Sequence, residues 1–421
     1  MSSRPTTPAP VLPERLSSLD GLRGVAAVVV LIHHALLTVP FLARAYYPDL
    51  PPVPPGTLAW YLTYTPLHLL WGGTEAVFLF FILSGLVVTL PALRSPGFDW
   101  VAFYPRRIVR IYGPVAVALL LGVALALAVP RHNERILGHW MNTRPNHVTP
   151  ADLLGDLMLV DGTSGIISPL WSLQWEILFS AFLPLFVGIA VIGRRRPLAV
   201  LAALAVCLGL GSFFGANAMF YLALFAVGAV VVVLWDVLVV VARVVSRRAW
   251  AWPVLVAVGL LLASAVWWLQ GLGLSQHRAD MLQCVAIPGI VLLLLAAAFW
   301  RPAVGLLNTR LFQWLGRISF SLYLVHEPIV IAARFLLVQV QAPTWVSIAV
   351  SIPVAFGVAA LFTRFVEAPF HRLARTAGKR VAAASRDFVQ PNRTWHEAAA
   401  TTGAIPVAAR KPSEQREPVG V

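Results

Sequence analysis

The polar stretch Arg15-Leu16-Ser17-Ser18-Leu19-Asp20-Gly21-Leu22-Arg23-Gly24 runs straight into an apolar segment that ends at His33-His34. Arg23 and His34 are eleven residues apart. On a helix that is about three turns, so the two side chains share nearly one face, roughly 16 Å apart along the axis. His33 points roughly 80° off that line. Asp20 and Arg23 form a charged pair at the mouth of the segment. A cation that can hold an anion at a membrane rim, aligned with an acid/base group at depth, has the makings of a site. Its bland alternative is a histidine that only bridges packed helices, but ionisable groups inside membrane helices are expensive and usually face a cavity or the bundle interior.

Four further segments carry chemistry. Trp71-Gly72-Gly73-Thr74-Glu75 precedes Phe80-Phe81-Ile82-Leu83-Ser84-Gly85; Glu75 is an intramembrane carboxylate, whereas Ser84-Gly85 reads as a small-residue packing point. Arg106, Arg107 and Arg110 fall within one helical turn beside Tyr112, a spacing suited to gripping phosphates as well as to setting orientation. Ser168-Pro169-Leu170-Trp171-Ser172-Leu173-Gln174-Trp175-Glu176 places Glu176 one to two turns inside the outer face, where it needs a partner or a cavity. Arg317 to Pro328 carries Ser319, Tyr323, His326 and Glu327. His326 lies nine residues past Arg317, about 13 Å in, and His34 lies nine past Val25, so the two histidines sit at matched depth and could join one polar network. Arg364 and Glu367 read as a local ion pair at the end of the last span. His132, His139 and His147 lack a tight metal spacing, and no metal site is expected.

Long apolar helices must position these groups. The chain has 421 residues, 59% hydrophobic and 12% charged, with mean hydropathy +0.78. That balance marks an all-α polytopic membrane protein. Its net charge of +14 does not imply nucleic acid, because the arginines sit in short loops between apolar runs and form no basic face. Cys207 and Cys284 lie in apolar runs and give no disulfide framework. Lysine occurs only at 379 and 411; the Arg, Ala and Val bias hints at a GC-rich bacterial genome. Residues 1–18 do not read as a cleaved signal peptide, so the first span is expected to stay as an anchor.

Apolar runs near spanning length occur at Val25–Leu42, Leu67–Leu90, Tyr112–Val129, Leu170–Ile192, Leu198–Phe214, Ala218–Val241, Trp252–Leu269, Met281–Trp300, Ile318–Val338 and Trp345–Val366. About ten transmembrane helices are therefore expected, with both termini on one side. One set of alternating loops carries thirteen arginines, among them Arg94, Arg106, Arg107, Arg110 and Arg194–Arg196, against five in the other set: Arg44, Arg131, Arg135, Arg144 and Arg278. The excess places both termini in the cytoplasm. The outer loops are Ala43–Pro66 and Pro130–Pro169, the second holding a capped amphipathic helix, Thr149 to Met158. The expected organisation is a cytoplasmic segment 1–18, a transmembrane domain 19–371 and a basic, disordered tail 372–421.

Five ordered pieces spanning residues 15–372 resemble the membrane acyltransferase family 3, integral-membrane O-acyltransferases of sugars, polysaccharides and some antibiotics. They are Leu19 to Gly24 with His34; Phe80 to Gly85; Arg106-Arg107 to Tyr112; Trp171-Ser172-Leu173 with Glu176; and Ser319 to His326 with Glu367-Ala368-Pro369. The resemblance implies an acyl donor taken as acyl-CoA from the cytoplasm, acetyl-CoA by expectation. CoA is a co-substrate here, with no resident cofactor. It further implies a hydroxyl acceptor on a carbohydrate, envelope glycan or secondary metabolite, met across or within a bacterial plasma membrane. The family's essential arginine and histidine map onto Arg23 and His34. Many members carry an acid where this chain has Phe78, with Glu75 about a turn earlier.

On this reading Arg23, Arg106, Arg107 and Arg110 hold the donor, and His34 is general base or acyl carrier. Glu176 meets the acceptor from the outer side. His326 and Tyr323 complete the network, with Asp20, Glu75 and Ser319 as further members. The rival is a proton-coupled transporter or exporter, since buried His and Glu also serve as relay parts. Against that, the chain shows no paired half-sequence symmetry and no second Arg–His arrangement.

Overall fold

The computed structural model describes residues 16–95, 97–160 and 163–389. Arg15, most of the segment 1–18 and the stretch 390–421 of the expected tail lie outside them. Every regular element among the described residues is helical. Apolar side chains recur on all faces of the long helices, as a bilayer solvent demands, and backbone polar groups are satisfied within each helix.

Among the described residues, five helices are long and apolar enough to cross a membrane: α1 (Ser17–Leu37), α2 (Gly73–Arg94), α3 (Trp100–Ala128) and, later in the chain, one at Arg310–Gln339 and one that begins at Thr344. Between them the expected spans are broken. Helix α4 (Trp171–Ala181) meets α5 (Leu183–Arg195) at 71°. Helix α6 (Pro197–Phe213) is short, and α7 (Asn217–Val233) meets α8 (Trp235–Val245) at 75°. Helices α9 (Ala251–Ala263) and α10 (Ala265–Gly271) meet at 60°, and α11 (Ala286–Phe299) turns by 81° into α12 (Arg301–Leu307). Counting each bent pair as one span gives nine, so the described residues hold five to nine candidate spans, not a settled ten. The breaks have local causes. Pro184 and Pro302 open the second helix of their pairs, and the Ser264 hydroxyl donates to the Leu260 carbonyl at 2.8 Å, competing with the helix ladder.

The last helices are α13 (Arg310–Gln339), α14 (Thr344–Phe362) and α15 (Ala368–Val389). A π-helical turn, Thr363–Glu367, joins the last two. The tail expected to lack structure from 372 is therefore helical to 389: its alanines favour helix, and Ala374 and Ala382 are buried.

Glycines set the two closest crossings. A Cβ on Gly21 would lie 2.3 Å from the Leu307 carbonyl oxygen, and one on Gly24 would lie 2.5 Å from the Gly316 nitrogen. Those contacts press α1 onto α12 and α13. Gly85 of α2 and Gly228 of α7 do the same: a Cβ on Gly85 would sit 2.1 Å from the Phe225 oxygen. Ser84-Gly85 is thus a packing point, as its residue types suggest.

Candidate active site

Helix α3 carries Arg106, Arg107 and Arg110 inside its second and third turns, not in a loop. They line a cavity of about 510 Å3 together with Asp20, Arg23, Ser84 and Glu176. A smaller cavity of about 40 Å3 shares Arg23, Glu176 and Phe320 with the first and continues to Ser172, Ser319 and Tyr323. Arg23 thus stands at the junction of an arginine-lined vestibule and a narrow inner passage.

Glu176 is expected to face the outer side. Instead it pairs with Arg107, whose Nη2 donates to Oε1. Ser84 Oγ donates to the same oxygen at 3.1 Å, and Arg107 Nε donates to Ser180 Oγ at 2.9 Å. The pair is only 10% and 19% exposed, which sets it apart from surface ion pairs of little energetic weight. The reason is the break after α4. Tyr104 donates its hydroxyl to the Ala181 carbonyl at 3.2 Å, so the short helix ends level with the arginines and brings Glu176 to them. Ser84 also contributes a hydrogen bond beyond its packing role, which its position beside Gly85 conceals.

Past Tyr323 lie the two histidines. His326 Nε2 is 3.1 Å from His34 Nδ1, as matched depth suggests. The acceptors around them assign the protons. His326 Nδ1 is 2.8 Å from the Leu322 carbonyl, so in neutral His326 that nitrogen carries the hydrogen and Nε2 is bare. His34 Nδ1 is shared between the Val30 carbonyl at 3.0 Å and that bare Nε2, so it donates. The lone pair of His34 is then on Nε2, fixed by the groups on the opposite nitrogen. His33 faces elsewhere: it is buried, its Nδ1 donates to the Trp71 carbonyl at 2.9 Å, and its ring stacks on Trp71.

Tyr323 donates to the Pro169 carbonyl at 3.0 Å, and its oxygen is 2.6 Å from Ser172 Oγ. Ser319 donates to Gly316 on its own helix. Next to His326 in the chain, the fully buried Glu327 accepts from Arg144 Nη1 at 3.0 Å and Ser168 Oγ at 2.6 Å, and from the Ser168 backbone N–H. Arg144 also lies over the Trp140 ring, 4.6 Å from its centre, and Trp140 approaches His34. Neither Arg144 nor Ser168 stands out as a site residue in the sequence. The one available signal is that buried Glu327 had to have a partner.

Glu75 stands apart, hydrogen-bonded to Trp267 Nε1 at 2.8 Å in a separate cluster with Tyr46 and His68. Glu367 does not form the expected local pair. The π turn carries it inward to accept from Ser321 Oγ at 2.6 Å, while Arg364 lies over Phe365. His132 approaches Glu134 and His139 packs on Tyr47. Among the described residues no group of three or more His, Cys, Asp or Glu is placed to hold a metal ion.

A family model described as an acyltransferase domain matches residues 16–364, which include every residue that lines the two cavities. The chain belongs to acyltransferase family 3. No curated protein and no solved structure matches it. The five motif pieces of this acyltransferase-family chain converge in three dimensions: Arg23 meets Arg107 and Glu176 around the vestibule, Ser172 meets Tyr323 in the passage, and behind Tyr323, whose ring is 6.1 Å from that of His326, His326 meets His34.

Proposed function

We propose that this is an integral-membrane O-acyltransferase. It moves an acyl group, acetyl by expectation, from cytoplasmic acyl-CoA to a hydroxyl of a carbohydrate, cell-envelope glycan or secondary metabolite. The observation that carries the proposal is the convergence of Arg23, Arg106, Arg107 and Arg110 on one cavity, joined through Arg23 to a passage lined by Tyr323, whose ring lies 6.1 Å from that of His326. Guanidinium groups suit the phosphates of CoA, and the inner passage suits a slender thioester arm. The arginine-rich loops, and with them both termini, face the cytoplasm of a bacterial plasma membrane in a ten-span arrangement.

His34 acts as general base. Its Nε2 takes the proton of the acceptor hydroxyl as the oxygen attacks the thioester carbonyl. The C–O bond forms, the C–S bond breaks, and the imidazolium returns the proton to the departing thiolate. Arg23 holds the donor in line, and His326 holds the His34 tautomer. Glu176 keeps Arg107 oriented toward the donor. A variant route has His34 accept the acyl group transiently.

The test is CoA release from labelled acetyl-CoA by purified wild type and His34→Ala in detergent. Loss of the base lowers the rate by about 10²–10⁴. A well-folded His34→Ala protein that keeps near-full transfer refutes the mechanism. Thermal stabilisation by CoA thioesters is expected of the transferase. If they do not stabilise the wild type, the donor assignment fails and proton-coupled transport becomes the reading to test.

A further inference from the structure

Helix α8 bends away from α7 by 75°. The 17 residues of α7 rise about 25 Å, close to the thickness of a hydrocarbon core, so α8 is free to run along the membrane surface at that end. Its outward side is apolar. Val237, Val240, Val241 and Val244 follow the i, i+3, i+4, i+7 spacing of one helix face, and all four are exposed. The opposite side packs on the protein: Trp235 and Ala242 are buried, and the Trp235 ring lies 4.8 Å from that of Phe299 at the end of α11. Trp252 Nε1 donates to Ser246 Oγ at 2.9 Å and pins the end of α8. Trp250 is exposed beside it, as suits a residue at head-group level. Alongside α8 opens a cleft of about 370 Å3, lined by Val239, Ala242, Arg243, Ser246, Arg247 and Phe299. Arg243 and Arg247 are exposed, and among the described residues neither has a carboxylate within ion-pair distance. Asp236, the acid of α8, sits in its first turn and does not line the cleft.

We propose that this cleft binds the phosphodiester head group of an anionic phospholipid from the leaflet that surrounds α8. Arg243 and Arg247 grip the phosphate, and Val239, Ala242 and Phe299 meet the apolar base of the head group. A lipid is the occupant, in preference to free phosphate, because the valine face sinks α8 to the boundary between head groups and acyl chains. In the proposed orientation this end of α8 faces the cytoplasm, where anionic lipids attract arginine. No lining residue is shared with the donor vestibule, so the site stands apart from the transferase reading.

The experiment uses the full-length protein in nonionic detergent, with dihexanoyl phosphatidylglycerol, dihexanoyl phosphatidylcholine and inorganic phosphate as probes. Affinity is read from thermal-shift titrations, and native mass spectrometry counts the lipid retained. Phosphatidylglycerol is expected to bind about 10-fold or more tightly than phosphatidylcholine, and inorganic phosphate at the same concentration to give no shift. Each arginine contributes about 5-fold, so Arg243→Gln combined with Arg247→Gln should weaken phosphatidylglycerol about 25-fold. The pair Arg243→Lys and Arg247→Lys, which keeps the charge, should retain most of the binding. Should the glutamine pair fail to fold, Arg247→Gln alone should show the single 5-fold loss. Arg106→Gln, in the donor vestibule, should leave phosphatidylglycerol binding unchanged. Equal affinity for the two lipids overturns the site, as does an equal shift with inorganic phosphate. Undiminished binding by the glutamine variants, or loss of binding through Arg106→Gln, overturns it as well.

Discussion

Arg144 and Glu327 illustrate how much depends on single side chains here. Glu327 is wholly buried, and its carboxylate is held by one guanidinium and by Ser168. Removing the cation leaves a buried charge short of its counterion, which costs about 3–5 kcal/mol. Arg144→Met is therefore expected to lower the unfolding midpoint sharply, and Arg144→Met with Glu327→Gln to recover much of the loss, because the uncompensated charge is gone. Equal midpoints for the two proteins in detergent would contradict that account. The same logic governs His34, whose useful lone pair exists because Val30 and His326 both draw the hydrogen to Nδ1. His326→Ala should lower acyl transfer less than His34→Ala does, since it frees the tautomer without deleting the base. Parallel rate measurements on the two variants decide this. Residue types along the chain do announce Arg23, His34 and His326. They do not announce that Glu176 faces Arg107, because that depends on where α4 stops.

Helix crossings and loop straps carry the next level of organisation. Gly24 and Gly85 each face backbone atoms at distances no Cβ tolerates. Alanine at either position must push two helices apart, with the 1–3 kcal/mol penalty or more of overpacking, about 2 kcal/mol at the middle. Gly357 of α14 has no neighbour within 4 Å of an added Cβ. Gly357→Ala should be neutral or stabilising by about 0.4–1 kcal/mol. Thermal unfolding of the three variants tests the contrast, and equal behaviour would show that the crossings are not tight. In the outer loop, the helix Pro150–Met158 is tied down by Asp156, which accepts from the Ser164 N–H and hydroxyl, each at 2.6 Å. Burial pushes the Asp156 carboxyl above its ordinary range, while the Ser164 donors pull it back. A raised folded-state value means the folded loop binds a proton more readily than the unfolded chain. The loop should therefore become more stable as pH falls through that value toward the unfolded one. Amide exchange in residues 163–167 should slow between neutral and mildly acidic pH, after correction for intrinsic rates; faster corrected exchange would reverse the sign.

At the scale of the whole molecule, orientation follows from charge and count together. Between residues 195 and 275 lie α6 and the bent pairs α7/α8 and α9/α10. Three spans there place the two positions on opposite sides of the membrane. With Cys207 and Cys284 replaced, single cysteines at Arg195 and Ser275 should label from the cytoplasmic and outer faces respectively. Labelling of both from one face would mean that α6 or one bent pair does not cross, and it would revise the ten-span arrangement.

Class and family are legible in the chain because hydropathy and motif spacing are local quantities. Apolar runs of spanning length, arginine-biased loops and the Arg23–His34 register need only the rise and turn of a helix. The sequence alone thus determined an all-helical membrane protein with a basic rim and a buried imidazole at depth. The meeting of Glu176 with Arg107, the inward turn of Glu367 onto Ser321 and the pairing of Arg144 with Glu327 were decided only by tertiary structure. Each joins residues tens to hundreds of positions apart. Which carboxylate meets which guanidinium depends on helix ends and crossing distances, and those are set by glycine contacts and packing that no single segment encodes.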